Sequence, residues 1–319
     1  MTEESQRSPK ELGALYLKGT AMGAADLVPG VSGGTVAFIT GIYDELVSSI
    51  ASFSPGLIGT FRRQGFIGVW QAINGKFLTF LFAGILTSVV AFSKAIKYLL
   101  VAEPLIVWSL FFGLIAASSI ILAKEVGRWS VGPIISLLMG IAVGYLITAM
   151  SPSQLPFEGA ADYWKLIPVG AIAFSAMILP GISGSFLLLL MGMYQVIITA
   201  LSEQNVLLLL TFMVGGALGL ITFSRVLKVL LAKQRGVTLA LLTGFMLGAM
   251  TKVWPWRVTT EFWTDRHGKT RPLLEEAVLP AQFEAATGQS PEVMICILFM
   301  VLGIGLAFLP SLFAKKEAH

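Results

Sequence analysis

Long apolar runs separated by short polar links set the rhythm of this chain. Runs at 77–100, 104–124, 131–150, 206–231, 236–254 and 292–314 are each long enough to cross a hydrocarbon core of about 30 Å as an α-helix. Two other apolar stretches carry helix breakers inside them. One reads LVPGVSGGTVAFITGIYDEL at 27–46, the other ILPGISGSFLLLLMGMYQVI at 178–197. The residue before a proline is pushed out of helical geometry. Non-helical backbone at membrane depth is tolerated only where protein buries it or water lines it. Each stretch therefore predicts a hairpin of apolar legs around a break, the first at about 14–50 and the second at about 163–201. A polar excursion at 255–291 stands apart and predicts an interfacial cap or a short amphipathic helix.

Charge turns an apolar chain into an oriented membrane protein. Only 13% of residues are charged, about half the share in soluble domains. The formal net charge of +4 does not point to nucleic acid, because the bases lie at the ends of apolar runs. Arg7, Lys10, Lys18, Arg62, Arg63 and Lys76 flank the first apolar block, Lys124 and Arg128 the third link, and Lys233, Arg235, Lys315 and Lys316 later ends. Counting spans, all of these fall on one side, and the segments 151–162 and 202–205 on the other side contain no Lys or Arg. The excess of bases marks the cytoplasmic face, so both termini are expected in the cytoplasm. The first residues mix acids and bases without a clean apolar core, so no signal peptide is expected. The sole cysteine, Cys296, lies in the last run, which leaves no intrachain disulfide. No metal site and no cofactor are expected. Trp70, Trp108, Trp129 and Trp164 near span ends fit an aromatic belt.

The two interrupted stretches are one pattern written twice. Setting Pro29 against Pro180 aligns Gly30 with Gly181, Ser32 with Ser183, Gly33 with Gly184, Gly41 with Gly192 and Tyr43 with Tyr194. The match resumes where GILTSVVAFSKAIKYLL from Gly84 faces GGALGLITFSRVLKVLL from Gly215, and Gly113 then meets Gly244. An odd number of spans separates the copies, so the second enters the membrane upside down. The expected fold is all-α and polytopic: two inverted repeats, 1–162 and 163–319, each a re-entrant Pro-Gly-x-Ser-Gly hairpin followed by three spans. Transporters built this way hold their substrate where broken helices meet at the repeat interface.

The break itself suggests the chemistry. Pro29, Gly30, Pro180 and Gly181 end one helix, and Ser32 or Ser183 can cap the next. The amides of Gly33, Gly34 and Thr35, with those of Gly184 and Ser185, are then expected unpaired at a helix start, a natural anion site. The plainer reading is a tight turn between packed helices. Lys94 and Lys97 correspond to Arg225 and Lys228, and a spacing of three puts each pair on one helical face. They are either cations for the same anion, with Arg225 favoured for its planar fork, or snorkelling span ends. Among acids, Asp26 precedes the first break, while Asp44 and Glu45 lie in its second leg. Asp26 is the better coupling acid, and Asp44 and Glu45 suit the cytoplasmic surface. Tyr43 and Tyr194 are read as packing or interfacial residues.

A serine-protease reading fails on its base. GVSG and GISG match the Gly-x-Ser-Gly nucleophile motif of rhomboid intramembrane proteases, but that chemistry needs a histidine within reach. The chain has two, His267 and His319, and neither lies in a span. No lipid phosphatase motif is present, and no enzymatic activity is expected.

At the two motifs the sequence resembles the bacterial and archaeal polyprenyl-phosphate (undecaprenyl-phosphate) translocases, formerly a membrane family of unknown function. The family's AD-x-x-PGVSGGT element corresponds to 25–35, continued by GIYDEL at 41–46, and its second element to LPGISGSFLLLLMGMY at 179–194. The resemblance covers nearly the whole chain except 254–291. It implies a flippase of the bacterial inner membrane that returns undecaprenyl phosphate to the cytoplasmic leaflet for peptidoglycan and other envelope glycan synthesis. Its partners would be that lipid carrier and membrane lipids, and a homo-oligomer is compatible with it. A small-anion transporter or channel would use the same helix ends, and a scaffold protein would not need the motif serines.

Overall fold

The computed structural model describes residues 7–26, 32–149, 160–180, 184, 187–188, 191–202, 204–264 and 270–314. The chain opens with α1 (Pro9–Asp26), α2 (Gly33–Ile39) and α3 (Tyr43–Ala51), then α4 (Gly56–Ala72). Three long helices follow, α5 (Gly75–Ala102), α6 (Pro104–Glu125) and α7 (Val131–Ala149). The second half has α8 (Leu166–Ile178) and α9 (Tyr194–Ser202), then α10 (Val206–Lys233) and α11 (Arg235–Ala249). Strands β1 (Arg257–Thr264) and β2 (Thr270–Ala277) and helix α12 (Pro280–Thr287) precede the last helix, α13 (Val293–Ala314). Among the described residues, α5, α6, α7, α10 and α11 are long and apolar enough to span a membrane, and α13 carries a shorter apolar stretch at Val293–Phe308. The chain is a multi-pass membrane protein.

Three features depart from the sequence reading. The expected second leg of the first hairpin is two helices, because the backbone turns at Gly41 with φ +73. That left-handed conformation is open to glycine at little cost. Its counterpart Gly192 has φ +68, so the same turn occurs in both halves. The link after α3 is also helical. In α4, Gly65 adopts φ 64 and divides the helix, and the side chains of Ile58, Phe61, Phe66 and Ile67 are exposed.

The third departure corrects the all-α expectation. The polar excursion folds as an antiparallel β-hairpin, pairing Arg257 with Ala277 and Thr259 with Glu275, with an irregularity around Glu261. RVTTEFWT is rich in β-branched and aromatic residues, which suit a pleated strand better than a helix. The hairpin is pinned to the bundle by Arg257, whose guanidinium lies 4.0 Å from the Trp108 ring centroid. Arg257 Nη1 also donates to Glu275 Oε2 at 2.8 Å and to Lys252 O at 3.1 Å. Trp256, Phe283 and Cys296 form a small core beneath this cap.

Glycines set how the long helices pack. Helix α1 lies against α5, α8 against α10, α7 against α11, and α6 against α13. A methyl added to Gly19 would stand 2.2 Å from Leu81 O, and one on Gly84 2.1 Å from Tyr16 O. The corresponding residues in the second half do the same: Gly170 would meet Phe212 O at 2.3 Å and Gly215 would meet Ile167 O at 2.2 Å. One position is exchanged between partners. Gly23 on α1 faces Ile85 in the first half, whereas Gly216 on α10 faces Phe174 in the second. The other two helix pairs correspond as well. Gly113 meets Met300 O at 2.0 Å where Gly244 meets Leu137 O at 2.3 Å, and Gly303 meets Leu110 O at 2.1 Å where Gly140 meets Leu241 O at 2.3 Å. Between helices in lipid, small residues of this kind allow the close van der Waals approach that drives association.

Two glycines in α13 provide a paired test. Gly303 has Leu110 O within 2.1 Å of a built Cβ, while Gly305 has nothing within 4 Å. Gly303→Ala should cost about 1–3 kcal/mol by overpacking, and Gly305→Ala should be neutral or slightly stabilising. Thermal unfolding of the detergent-solubilised variants checks this, and equal melting temperatures for the two would contradict the packing.

Candidate functional site

The first helix break is closed by its own side chains. Helix α1 ends at Asp26, and Ser32 caps α2 from an extended conformation, φ −118 and ψ 131. Gly34 N–H donates to Ser32 Oγ at 3.1 Å. Thr35 N–H donates to Ser32 O at 3.0 Å, and Gly33 N–H donates to Asp26 Oδ1 at 2.7 Å. The sequence expectation that these three amides stand unpaired is therefore corrected. Ser32 and Thr35 are fully enclosed, and a buried orphan amide is costly enough that the chain supplies acceptors itself. A carboxylate at a helix start also interacts favourably with the positive end of the helix dipole.

The same serine ties the break to the other half of the chain. Its hydroxyl lies 3.1 Å from Leu179 O and 3.3 Å from Met177 O, and donates toward these carbonyls at the end of α8. Gly34 sits so close that an added methyl would be 2.6 Å from Ile178 O. The start of α2 thus abuts the end of α8, where Pro180 is buried. Gly184 is buried beside Ala173 O, 2.4 Å from a built Cβ. Pro29, Gly30, Gly181, Ser183 and Ser185 lie outside the described residues.

The cations serve carbonyl ends of the broken helices. Lys18 Nζ donates to Thr40 O at 2.8 Å, where α2 ends. Arg225 Nε donates to Ala51 O at 3.3 Å, and its Nη2 donates to Phe53 O, where α3 ends. Each places positive charge at the negative end of a helix dipole. In this geometry Arg225, the favoured anion partner by sequence, is engaged with backbone. Lys228, one turn further along α10, is exposed and lines an open cleft with Asp44, Val47, Ser48, Leu231, Ala232 and Arg235. The side chains of Lys94 and Lys97 lie outside the described residues.

The three candidate acids separate. Asp26 meets the helix break, while Asp44 pairs with Arg235 at 2.9 Å. Glu45 pairs with Arg7 and accepts from Asn74 Nδ2 at 2.8 Å. Arg7 lies two residues before α1, Asn74 immediately precedes α5 and Arg235 opens α11, so Asp44 and Glu45 belong to the end of the bundle where those helices begin. Tyr43 is a packing residue, 2% exposed and edge-on to Phe38 with ring centroids 5.7 Å apart. Sequence reading missed the roles of Lys18, Arg7, Arg235 and Asn74. For Lys18 the signal was a lone charge inside an apolar leg, which in a membrane calls for a partner.

A family model described as undecaprenyl phosphate translocase-like matches residues 22–271. A protein of Vibrio cholerae serotype O1 named polyprenyl-phosphate transporter is 43% identical over 301 residues, which cover 94% of this chain and 96% of that relative. A Staphylococcus aureus protein of the same name is 33% identical over 253 residues, covering 75% of this chain and 85% of its own. No solved structure matches the chain. A family match that spans both helix breaks, together with relatives aligned over 96% and 85% of their lengths, makes this chain a member of the undecaprenyl phosphate translocase-like family.

Proposed function

We propose that the protein carries polyprenyl phosphate, with undecaprenyl phosphate as substrate, from the outer to the cytoplasmic leaflet of the bacterial inner membrane. There the lipid re-enters envelope glycan synthesis. The relatives' names support the substrate class. The observation that carries the mechanism is the Asp26 carboxylate on Gly33 N–H at 2.7 Å. An anionic oxygen already occupies the start of α2, so the place accepts the charge and the hydrogen-bond geometry of a phosphate oxygen. In the proposed cycle the phosphate displaces Asp26 from the Gly33 amide and Ser32 Oγ from the Gly34 amide, accepts from the freed Ser32 hydroxyl beside Thr35, and faces Ser183, Gly184 and Ser185 of the second break. Asp26 would take up a proton as it leaves, coupling lipid movement to protons. Arg225 holds α3 in place, and Lys228, with Lys94 and Lys97 in the other half, compensates the head group's charge along its route.

The proposed frame is a pair of inverted repeats with re-entrant hairpins and both termini cytoplasmic. The corresponding glycine contacts of the two halves support duplication, and the three long helices between the two breaks support inversion. Ser32 bridging to the end of α8 would then be a contact between copies, one that must part for the lipid to pass.

Proteoliposomes with labelled undecaprenyl phosphate in one leaflet test the reading. The wild-type protein should move the label between leaflets, and Ser32→Ala should slow it roughly fivefold, the value of a helix cap of about 1 kcal/mol. Asp26→Ala should abolish proton-coupled movement yet bind the head group more tightly, because the internal competitor is gone. Vesicles that pass chloride or free phosphate but no lipid would instead establish a small-anion transporter.

Orientation has its own test. Cysteines at Gln64 and Gln204, in a Cys296→Ser background, should react with impermeant reagents from opposite sides of the membrane, Gln64 from the cytoplasm. Labelling from one side would remove the inverted arrangement.

A further inference from the structure

The cleft beside α3 is a second place where a phosphate fits. Asp44 and Ser48 lie one helical turn apart on α3, which puts them on one face. Lys228 lies in the last two turns of α10 and Arg235 opens α11, and all four residues line one open cleft. Three cations from this strip face α3, and two are engaged. Arg225 holds the carbonyls at the end of α3, and Arg235 holds Asp44 at its start, 2.9 Å away. Lys228 stands between them. Among the described residues neither its ammonium nor the Ser48 hydroxyl has a side-chain hydrogen bond or ion-pair partner.

Charge and shape select the ligand. Lys228 and Arg235 together carry two positive charges, and a phosphate monoester carries about −1.5 to −2 near neutral pH. An ammonium, a guanidinium fork and a hydroxyl match its three terminal oxygens. The Asp44 carboxylate occupies the fork instead, and with roughly half of its side chain exposed it can swing out into solvent. Val47, Leu231 and Ala232 form an apolar wall beside these groups, which free phosphate does not use and a hydrocarbon chain does.

We propose that this cleft binds the phosphate monoester head of an isoprenoid lipid through Lys228, Arg235 and Ser48, with Asp44 as an internal competitor for Arg235 that favours release. The assignment rests on the transport reading above and adds to it a staging site at the end of the bundle where α1, α5 and α11 begin. A head group leaving the helix breaks would meet Lys228 and exchange with Asp44 on Arg235. The returning carboxylate would then expel it.

A dye that responds to its surroundings, attached at Ala232→Cys in a Cys296→Ser background, reports on the cleft alone. Full-length protein in detergent is titrated with geranyl phosphate and, in parallel, with inorganic phosphate. Geranyl phosphate should saturate the signal, with inorganic phosphate at least tenfold weaker. Lys228→Gln should weaken geranyl phosphate on the order of tenfold, the usual scale of one charged hydrogen bond, and Ser48→Ala by a smaller factor. Asp44→Asn should tighten binding several-fold, a change that a purely structural ion pair would not produce. Unchanged binding in Lys228→Gln, or weaker binding in Asp44→Asn, overturns the site. Equal affinity for inorganic phosphate overturns the lipid assignment. Wild-type vesicles separate the two readings. If they move undecaprenyl phosphate while the cleft variants bind as wild type does, the cleft assignment alone fails. If they move no lipid and the dye reports no geranyl phosphate, the transport reading fails and the cleft with it.

Discussion

Where helices break within a membrane protein, the backbone must find its hydrogen-bond partners within the protein, and the segment from α1 to α3 is organised around that demand. Asp26 and Ser32 satisfy the amides where α2 begins, Lys18 the carbonyl where it ends, and Arg225 those where α3 ends. The ionisable side chains of this region are thus the termini of its short helices, extended by other means. Each sits at the dipole end that suits its charge. In the proposed cycle this arrangement is also what makes the region usable for transport. A carboxylate that caps a helix can be replaced by a phosphate, whereas an unbroken helix, its amides all bonded to its own carbonyls, offers nothing to exchange.

The long helices provide the opposite property, a frame that does not give. Backbone-to-backbone approach at Gly19, Gly84, Gly113 and Gly303, repeated at Gly170, Gly215, Gly244 and Gly140, leaves no room for even a methyl group. The Gly23–Ile85 and Phe174–Gly216 contacts show the same interface filled from opposite partners. Where one helix carries a large side chain, its partner carries the glycine. In the proposed cycle such rigid pairs rock against one another around a softer centre, as alternating access requires.

Much of this was legible in the sequence, and what was not has physical causes. Spans declare themselves because about twenty apolar residues have few other uses. The Pro-Gly-x-Ser-Gly match, with Gly84 against Gly215 and Gly113 against Gly244, identified the helices that later proved to pack alike. The correspondence of Gly140 with Gly303 was hidden by the β-hairpin and α12, which lengthen the second half. That hairpin was missed because a polar excursion gives no burial pattern to read, although its β-branched and aromatic residues were in plain view. The Gly41 and Gly192 turns were aligned but not recognised as breaks, since a glycine's φ is not written in its spacing. Asp26 was picked out as a charge, yet its hydrogen bond to Gly33, seven residues further on, is written in no periodicity. Arg225 shows the same limit: residue type indicated an anion, and the fold supplied backbone carbonyls.

The central claim is that the phosphate head and the Asp26 carboxylate compete for the start of α2. The most direct measurement is an experimental structure of the protein in lipid nanodiscs, determined with and without a saturating polyprenyl phosphate. The account predicts phosphate density within hydrogen-bonding distance of the Gly33 and Gly34 amides, with Asp26 turned away, and Asp26 on Gly33 when the lipid is absent. A bound phosphate lying elsewhere in the bundle, with Asp26 still on Gly33 N–H, would contradict it.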